Sequence, residues 1–262
     1  MRRHLIFIFF LLFFTSCHND RSTINSSFQT SLELVGHDYD SNYGKPLIFL
    51  KITDPWASLS GAESPQFALY EKGQIIYQFI EKNEVKRFEI SLTSDEIHQV
   101  IQSFGITDDL FKLDSSIEAS KSMDQPTTIL KLDLDKSKTF RVYGNLNAID
   151  VRMKTPMPFK TVYDRIMCYR NDSAKLWIPQ KIEVMFWPYN SAPNKLPWVK
   201  GFPDLKSSNT IKFDDDSYCV FLDKADYEEF IKFYNAMSEK YAVEINGRKM
   251  SISYKMTFPN IR

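Results

Sequence analysis

Two helix-start signals stand among runs of short alternating strands, and the order they impose, strands, one capped helix, then a hairpin, is what most restricts the fold. Thr93-Ser94-Asp95-Glu96 is a capping box, in which the Thr93 hydroxyl and the Glu96 carboxylate satisfy orphan amides at a helix start. Ile97, Val100, Ile101 and Phe104 follow at helical spacing and Gly105 closes the run. Asp223 caps a second helix, whose Tyr227, Phe230, Ile231, Tyr234 and Met237 form one apolar face. A parallel sheet would need a crossover helix between each pair of strands. Strands joined directly, with so few helices, point instead to antiparallel sheets carrying packed helices, an α+β fold.

The strands themselves are legible from alternation and turn chemistry. Ser31 to Val35, Leu47 to Ile52, and then Phe67 to Tyr70 with Ile75 to Ile80 read as strands, the last two forming a hairpin around Glu71-Lys72-Gly73. Arg87 to Leu92 joins them. Beyond the first helix, Thr128 to Leu134 and Thr139 to Tyr143 alternate as a second hairpin, and Pro156 and Pro158 introduce a helix that runs to about Tyr169. Lys181 to Trp187 and Tyr218 to Leu222 precede the Asp223-capped helix, and Ala242 to Ile245 with Met250 to Met256 flank Asn246-Gly247, a strong hairpin signal. Because Phe88 to Phe104 and Tyr218 to Tyr234 share a strand, a cap after a leucine and an amphipathic helix, the chain reads as two related β-β-α-β-β halves. These halves are expected to cover residues 31–175 and 176–262.

Residues 1–16 read as an export signal. Arg2 and Arg3 form a basic start and Leu5 to Phe14 is an unbroken apolar run. That run is too short to span a bilayer, which takes about 20 apolar residues. It closes with Phe14-Thr15-Ser16-Cys17, which resembles the lipobox of bacterial lipoproteins, in which the cysteine thiol takes a diacylglycerol; Phe14 stands where leucine is usual. Residues 17–30, rich in serine and threonine, read as a flexible tether. The expected location is the cell envelope, with lipid on Cys17 as the membrane contact. His18, where an aspartate would mark inner-membrane retention, favours the outer membrane, facing the periplasm or the cell surface.

Along its length the chain resembles a family of bacterial exported lipoproteins of uncharacterised function, built on a strand-hairpin-capped-helix-hairpin unit. The resemblance is carried by Phe67-Ala68-Leu69-Tyr70-Glu71-Lys72-Gly73, the capping box, Asp124-Gln125-Pro126, and Trp177-Ile178-Pro179 leading into Ile182-Glu183-Val184. It implies an exported α+β protein and carries no activity with it.

Several kinds of chemistry lack their motif. There is no His-Glu-x-x-His, no Cys-x-x-Cys and no glycine-rich phosphate loop, so neither a metal nor a cofactor is expected. Removing residues 1–16 takes away two arginines and no acids, leaving a formal charge of −2, which makes no electrostatic case for nucleic acid. His37 beside Asp38 reads as a strand-end residue, since no Gly-x-Ser-x-Gly elbow supplies a nucleophile. Asp38, Asp40 and Asn42 begin like a calcium loop, but Tyr43 occupies the place of the required glycine and Phe49 that of the bidentate glutamate, so a polar turn is the better reading. Asp214, Asp215 and Asp216 read as a solvated acidic turn.

The most unusual composition lies between Trp177 and Pro203. Trp177, Trp187 and Trp198 fall there with five prolines and with Tyr189. Stiff loops carrying flat rings suit recognition of a glycan, a peptide or another protein, and the same rings could instead pack the junction between the halves. Glu183 is the acid to inspect first, because aromatic burial would disfavour its charged form. Cys168 and Cys219 are candidates for a disulfide in an exported chain. The function expected is therefore a lipid-anchored, non-enzymatic binding protein, with an envelope hydrolase of glycosidase type using paired carboxylates as the alternative.

Overall fold

The computed structural model describes residues 39–55, 64–81, 84–213, 215–238 and 240–261. Cys17, the tether, the strand expected at Ser31 to Val35, the His37-Asp38 pair and Asp214 lie outside them. The described residues belong to one compact unit of α+β class, in which they form two sheets of eight and six strands.

The first sheet is a meander extended at both edges. Strands β1 (Pro46–Thr53), β2 (Phe67–Tyr70), β3 (Gln74–Glu81) and β4 (Glu84–Ser91) pair antiparallel in sequence order. Gly73 closes the β2–β3 hairpin at φ +91°, and a Cβ there would stand 2.4 Å from the Leu92 carbonyl oxygen, so the turn excludes any side chain. Beyond β4 come helix α1 (Ser94–Ser103), the short helix α2 (Asp108–Lys112) and β5 (Ser116–Glu118). The hairpin of β6 (Thr127–Asp133) and β7 (Ser137–Tyr143) then returns so that β6 pairs with β1. Helices α3 (Ile149–Lys154) and α4 (Met157–Met167) follow, and β8 (Lys175–Leu176) pairs with β4. The sheet order is β5-β7-β6-β1-β2-β3-β4-β8.

Helix α1 forms as its sequence dictates. Both halves of the capping box close, and the bonds from Thr93 hold the Glu96 carboxyl below its usual range. Ile97, Val100, Ile101 and Phe104 all pack on one face of the sheet, together with Leu110, Val151, Phe159, Val162 and Ile166 from the other helices. Strand β2 is buried on both sides, because Phe67 and Leu69 face those helices while Ala68 and Tyr70 face the other way.

The second sheet holds β9 (Lys181–Pro188), β10 (Asn194–Pro197), β11 (Ile211–Lys212), β12 (Tyr218–Asp223), β13 (Tyr241–Ile245) and β14 (Arg248–Met256), in the order β10-β13-β14-β9-β12-β11. Asp223 caps as expected, but a 3-10 turn (Lys224–Asp226) intervenes before helix α5 (Tyr227–Asn235). Asn246 and Gly247, at φ +50° and +76°, make the tight turn between β13 and β14. Ile182, Val184, Phe186, Val220, Leu222, Met250 and Ile252 turn to α5 and bury Phe230 against the sheet.

The two sheets divide between residues 176 and 181; each contains strands, a capped helix and a later hairpin, and the two differ in the order and pairing of the rest. In each, an edge strand runs parallel to the outer strand of a hairpin, β5 on β7 and β10 on β13. In the first sheet the earlier hairpin strand, β6, docks on the central strand, whereas in the second it is the later one, β14. The hairpin is thus inserted in opposite senses in the two sheets.

Candidate functional site

The three tryptophans of the aromatic-proline segment go to three different places. Trp177 lies at the junction of the sheets, only 6% exposed. Its amide donates to the Arg87 carbonyl at 2.8 Å, its indole Nε1 donates to the Tyr43 hydroxyl at 3.4 Å, and its ring meets Phe258 edge-on at 5.0 Å. Trp198 belongs to the second core, where it meets Phe186, Phe202, Phe230 and Phe233 edge-on and donates from Nε1 to the Pro203 carbonyl at 2.8 Å. Trp187 alone of the three keeps its ring accessible, at 40% exposure. The expectation of one recognition cluster is thus corrected: packing absorbs Trp177 and Trp198, as large apolar rings in reach of a core generally are.

Trp187 owes its position to the alternation of β9. With Ile182, Val184 and Phe186 turned to α5, Glu183, Met185 and Trp187 project from the opposite face. Antiparallel partners share a face, so Ser251 stands opposite Trp187, Ser253 and Cys219 flank Met185, and Lys255 and Phe221 flank Glu183. One end of this face is closed, since Glu183 is 3% exposed and Cys219 is fully buried. Burial pushes the Cys219 thiol up, the Glu183 carboxylate adds to that, and Lys255 opposes it. The accessible end is the one at Trp187. Tyr189, just past the strand, is half-buried, and its amide donates to the Lys249 carbonyl at 2.9 Å to fix the following turn. Glu183 and Trp187 therefore share a face at opposite ends of it, and Tyr189 follows the tryptophan just past the strand end.

The acid diagonal to Glu183 is committed elsewhere, and Cys168 and Cys219 do not pair. Asp223 is the diagonal neighbour of Glu183 on the sheet. Its carboxylate, however, closes the cap of the following 3-10 turn and accepts from Lys181 Nζ at 2.5 Å, so it is committed to structure. The hollow at the ends of β1 and β6, lined by Thr53, Asp54, Pro55, Gln125 and Thr127, is shallow and holds a single acid. Cys168 and Cys219 are unpaired, the first exposed at the end of α4 and the second in the interior of the second sheet. Elements on different sheets carried them apart, which their spacing in sequence does not reveal.

The acidic segments behave as turns. Asp40 Oδ1 accepts the Asn42 amide, and its carbonyl accepts the amides of Tyr43 and Gly44. Asp215 pairs with Lys212 and Asp216 with Arg248. Among the described residues there is no group of three His, Cys, Asp or Glu side chains that could hold a metal ion.

No family model, curated protein or solved structure matches this chain.

One buried polar residue was not singled out by its sequence. Arg87, on β4, is 3% exposed and reaches across to the second sheet, where its Nη1 lies 3.1 Å from Met256 Sδ. Burial pulls its guanidinium pKa down, while the hydroxyls of Tyr254 and Tyr227 act in the other direction. The strand EVKRFEIS mixes charged and apolar residues on both parities, so its sequence carried no signal that Arg87 would be buried.

Proposed function

We propose that this chain is a lipid-anchored envelope protein, held through Cys17, which binds an envelope glycan on the face of its second sheet around Trp187. Support for the anchor comes from the basic start, the short apolar run and the Phe14-Thr15-Ser16-Cys17 ending. No helix of the described residues is long and apolar enough to cross a membrane, so the lipid supplies the membrane contact in this reading.

The observation that carries the binding role is the accessible ring of Trp187, 40% exposed on a strand whose other large apolar side chains are buried or half-buried. A flat, accessible indole on a strand where Ser251 is its cross-strand partner offers a stacking surface with a polar neighbour, the chemistry that suits a sugar ring better than an apolar ligand.

Two measurements test the reading separately. Cys17→Ser is expected to move the protein from the membrane to the soluble fraction and to remove the lipid mass from the mature N-terminus; unchanged fractionation sinks the anchor. Titration of soluble peptidoglycan fragments should shift tryptophan emission, and Trp187→Ala should weaken that binding by about 1 to 3 kcal/mol. Equal affinity of the variant, or a response to peptides alone, sinks the glycan reading.

A further inference from the structure

Helix α3 is mounted on the first sheet by one side and leaves its other side bare. Inwardly, Val151 is buried, and Gly144 lies so close that a Cβ there would stand 2.9 Å from Val151 Cγ1. Arg152 grips Asp164 of α4 through two bonds of 3.0 and 2.7 Å, and Lys160 donates to the Arg152 carbonyl at 2.9 Å. Outwardly, Ile149 and Met153, one helical turn apart, are 79% and 80% exposed, and Met157, at the start of α4 beyond the extended Thr155 and Pro156, is 66% exposed. A side chain exposed to that degree projects from the surface and does not line a cleft. Side chains this exposed contribute little to the core, and apolar groups left in water together mark an interaction surface.

We infer that Ile149, Met153 and Met157 form a membrane-docking ridge, which inserts shallowly into a lipid bilayer and holds the folded part against it. Projecting, flexible apolar side chains suit a fluid acyl boundary, which needs no complementary pocket. Around the ridge the exposed charges balance, Lys121 and Lys154 against Asp124 and Asp150, which matches a zwitterionic surface better than a charged partner. For proximity the inference rests on the lipid anchor proposed above: Tyr39 lies 22 residues beyond Cys17, a length that spans at most about 80 Å. Within that reach, contacts that bind only weakly from solution, at millimolar lipid, hold the protein down.

The test compares processed chains, residues 17–262, that both carry Cys17→Ser, so that the outcome does not depend on lipidation. On phosphatidylcholine vesicles at millimolar lipid, Ile149→Asp/Met153→Asp is expected to lower the vesicle-bound fraction at least fivefold, with little effect of salt. Equal binding by the two chains, or none by the parent, overturns the ridge whatever becomes of the anchor. Should the double variant fold poorly, hydroxyl-radical footprinting of the parent decides: vesicles should protect Met153 and Met157 at least threefold and leave Trp187 unchanged. Equal oxidation of the two methionines with and without vesicles overturns the inference.

Discussion

Asn260 grips both backbone groups of Asp40: its Oδ1 accepts the Asp40 amide at 2.8 Å and its Nδ2 donates to the Asp40 carbonyl at 2.8 Å, with a further bond of 2.7 Å to the Gly44 carbonyl. The C-terminal segment leaves the second sheet at Met256, lays Phe258 on Trp177, and ends on the turn that leads into the first sheet. It closes the chain into one unit. Asn260 adopts φ +55°, so glycine is the substitution that preserves the backbone while deleting the side chain. Asn260→Gly is expected to cost about 1 to 3 kcal/mol, read from urea unfolding. Asn260→Ala should cost about 1 kcal/mol more, for the left-handed backbone. A glycine variant as stable as the parent would show the grip to be incidental.

Tyr70 carries the opposite expectation. Its hydroxyl is buried at the junction and has no hydrogen-bond partner among the described residues, so it lost its hydration without compensation. Tyr70→Phe should be neutral or stabilising by up to about 1 kcal/mol. A loss of more than about 1 kcal/mol would mean that the hydroxyl is satisfied.

Burial pushes the phenol of Tyr254 up to about 12, and those of Tyr43 and Tyr70 upward as well. An unfolded tyrosine ionises near pH 10. Below that value the native and unfolded chains bind the same phenolic protons; above it the unfolded chain loses them first, so stability falls as pH rises. The expected loss begins at about pH 10 and, for Tyr254, runs to about pH 12, with a slope approaching 1.4 kcal/mol per pH unit for each such tyrosine. Urea titrations between pH 8 and 11 would reveal it, and Tyr254→Phe should flatten the decline. A flat profile for the parent would refute the assignment.

The two thiols should separate cleanly. In the Cys17→Ser chain, a thiol reagent is expected to modify Cys168 at once under native conditions and Cys219 only after denaturant is added, because the buried thiol is both inaccessible and held protonated. Rapid reaction of both, or of neither without reductant, would contradict the unpaired arrangement.

Trp198→Ala removes a ring from the second core and should cost about 3 to 5 kcal/mol. For Trp187→Ala the expected loss of stability is under about 1 kcal/mol, since the ring is partly in water already. Acrylamide quenching should weaken measurably in the Trp187 variant. Similar destabilisation by the two substitutions would place Trp187 in a core as well.

By itself the sequence determined the elements whose signals are local. Capping at Thr93 and Asp223, the glycine turns at Gly73 and Gly247, and the alternation along β6, β9 and β14 each depend on neighbours a few residues away, and each formed as read. The short strands β5, β8, β10 and β11 were not legible, because two to four residues carry no periodicity and become strands only when a longer neighbour supplies the hydrogen bonds. Ile149 and Met153 stand at helical spacing, a pattern that ordinarily faces a core. Only the tertiary structure decided that this one faces outward, that Trp177 and Trp198 are packed while Trp187 is not, and that Cys168 and Cys219 stand apart. Local propensity acts through bonds within one element, whereas burial depends on which face the rest of the chain covers, and that choice is made by contacts distant in sequence.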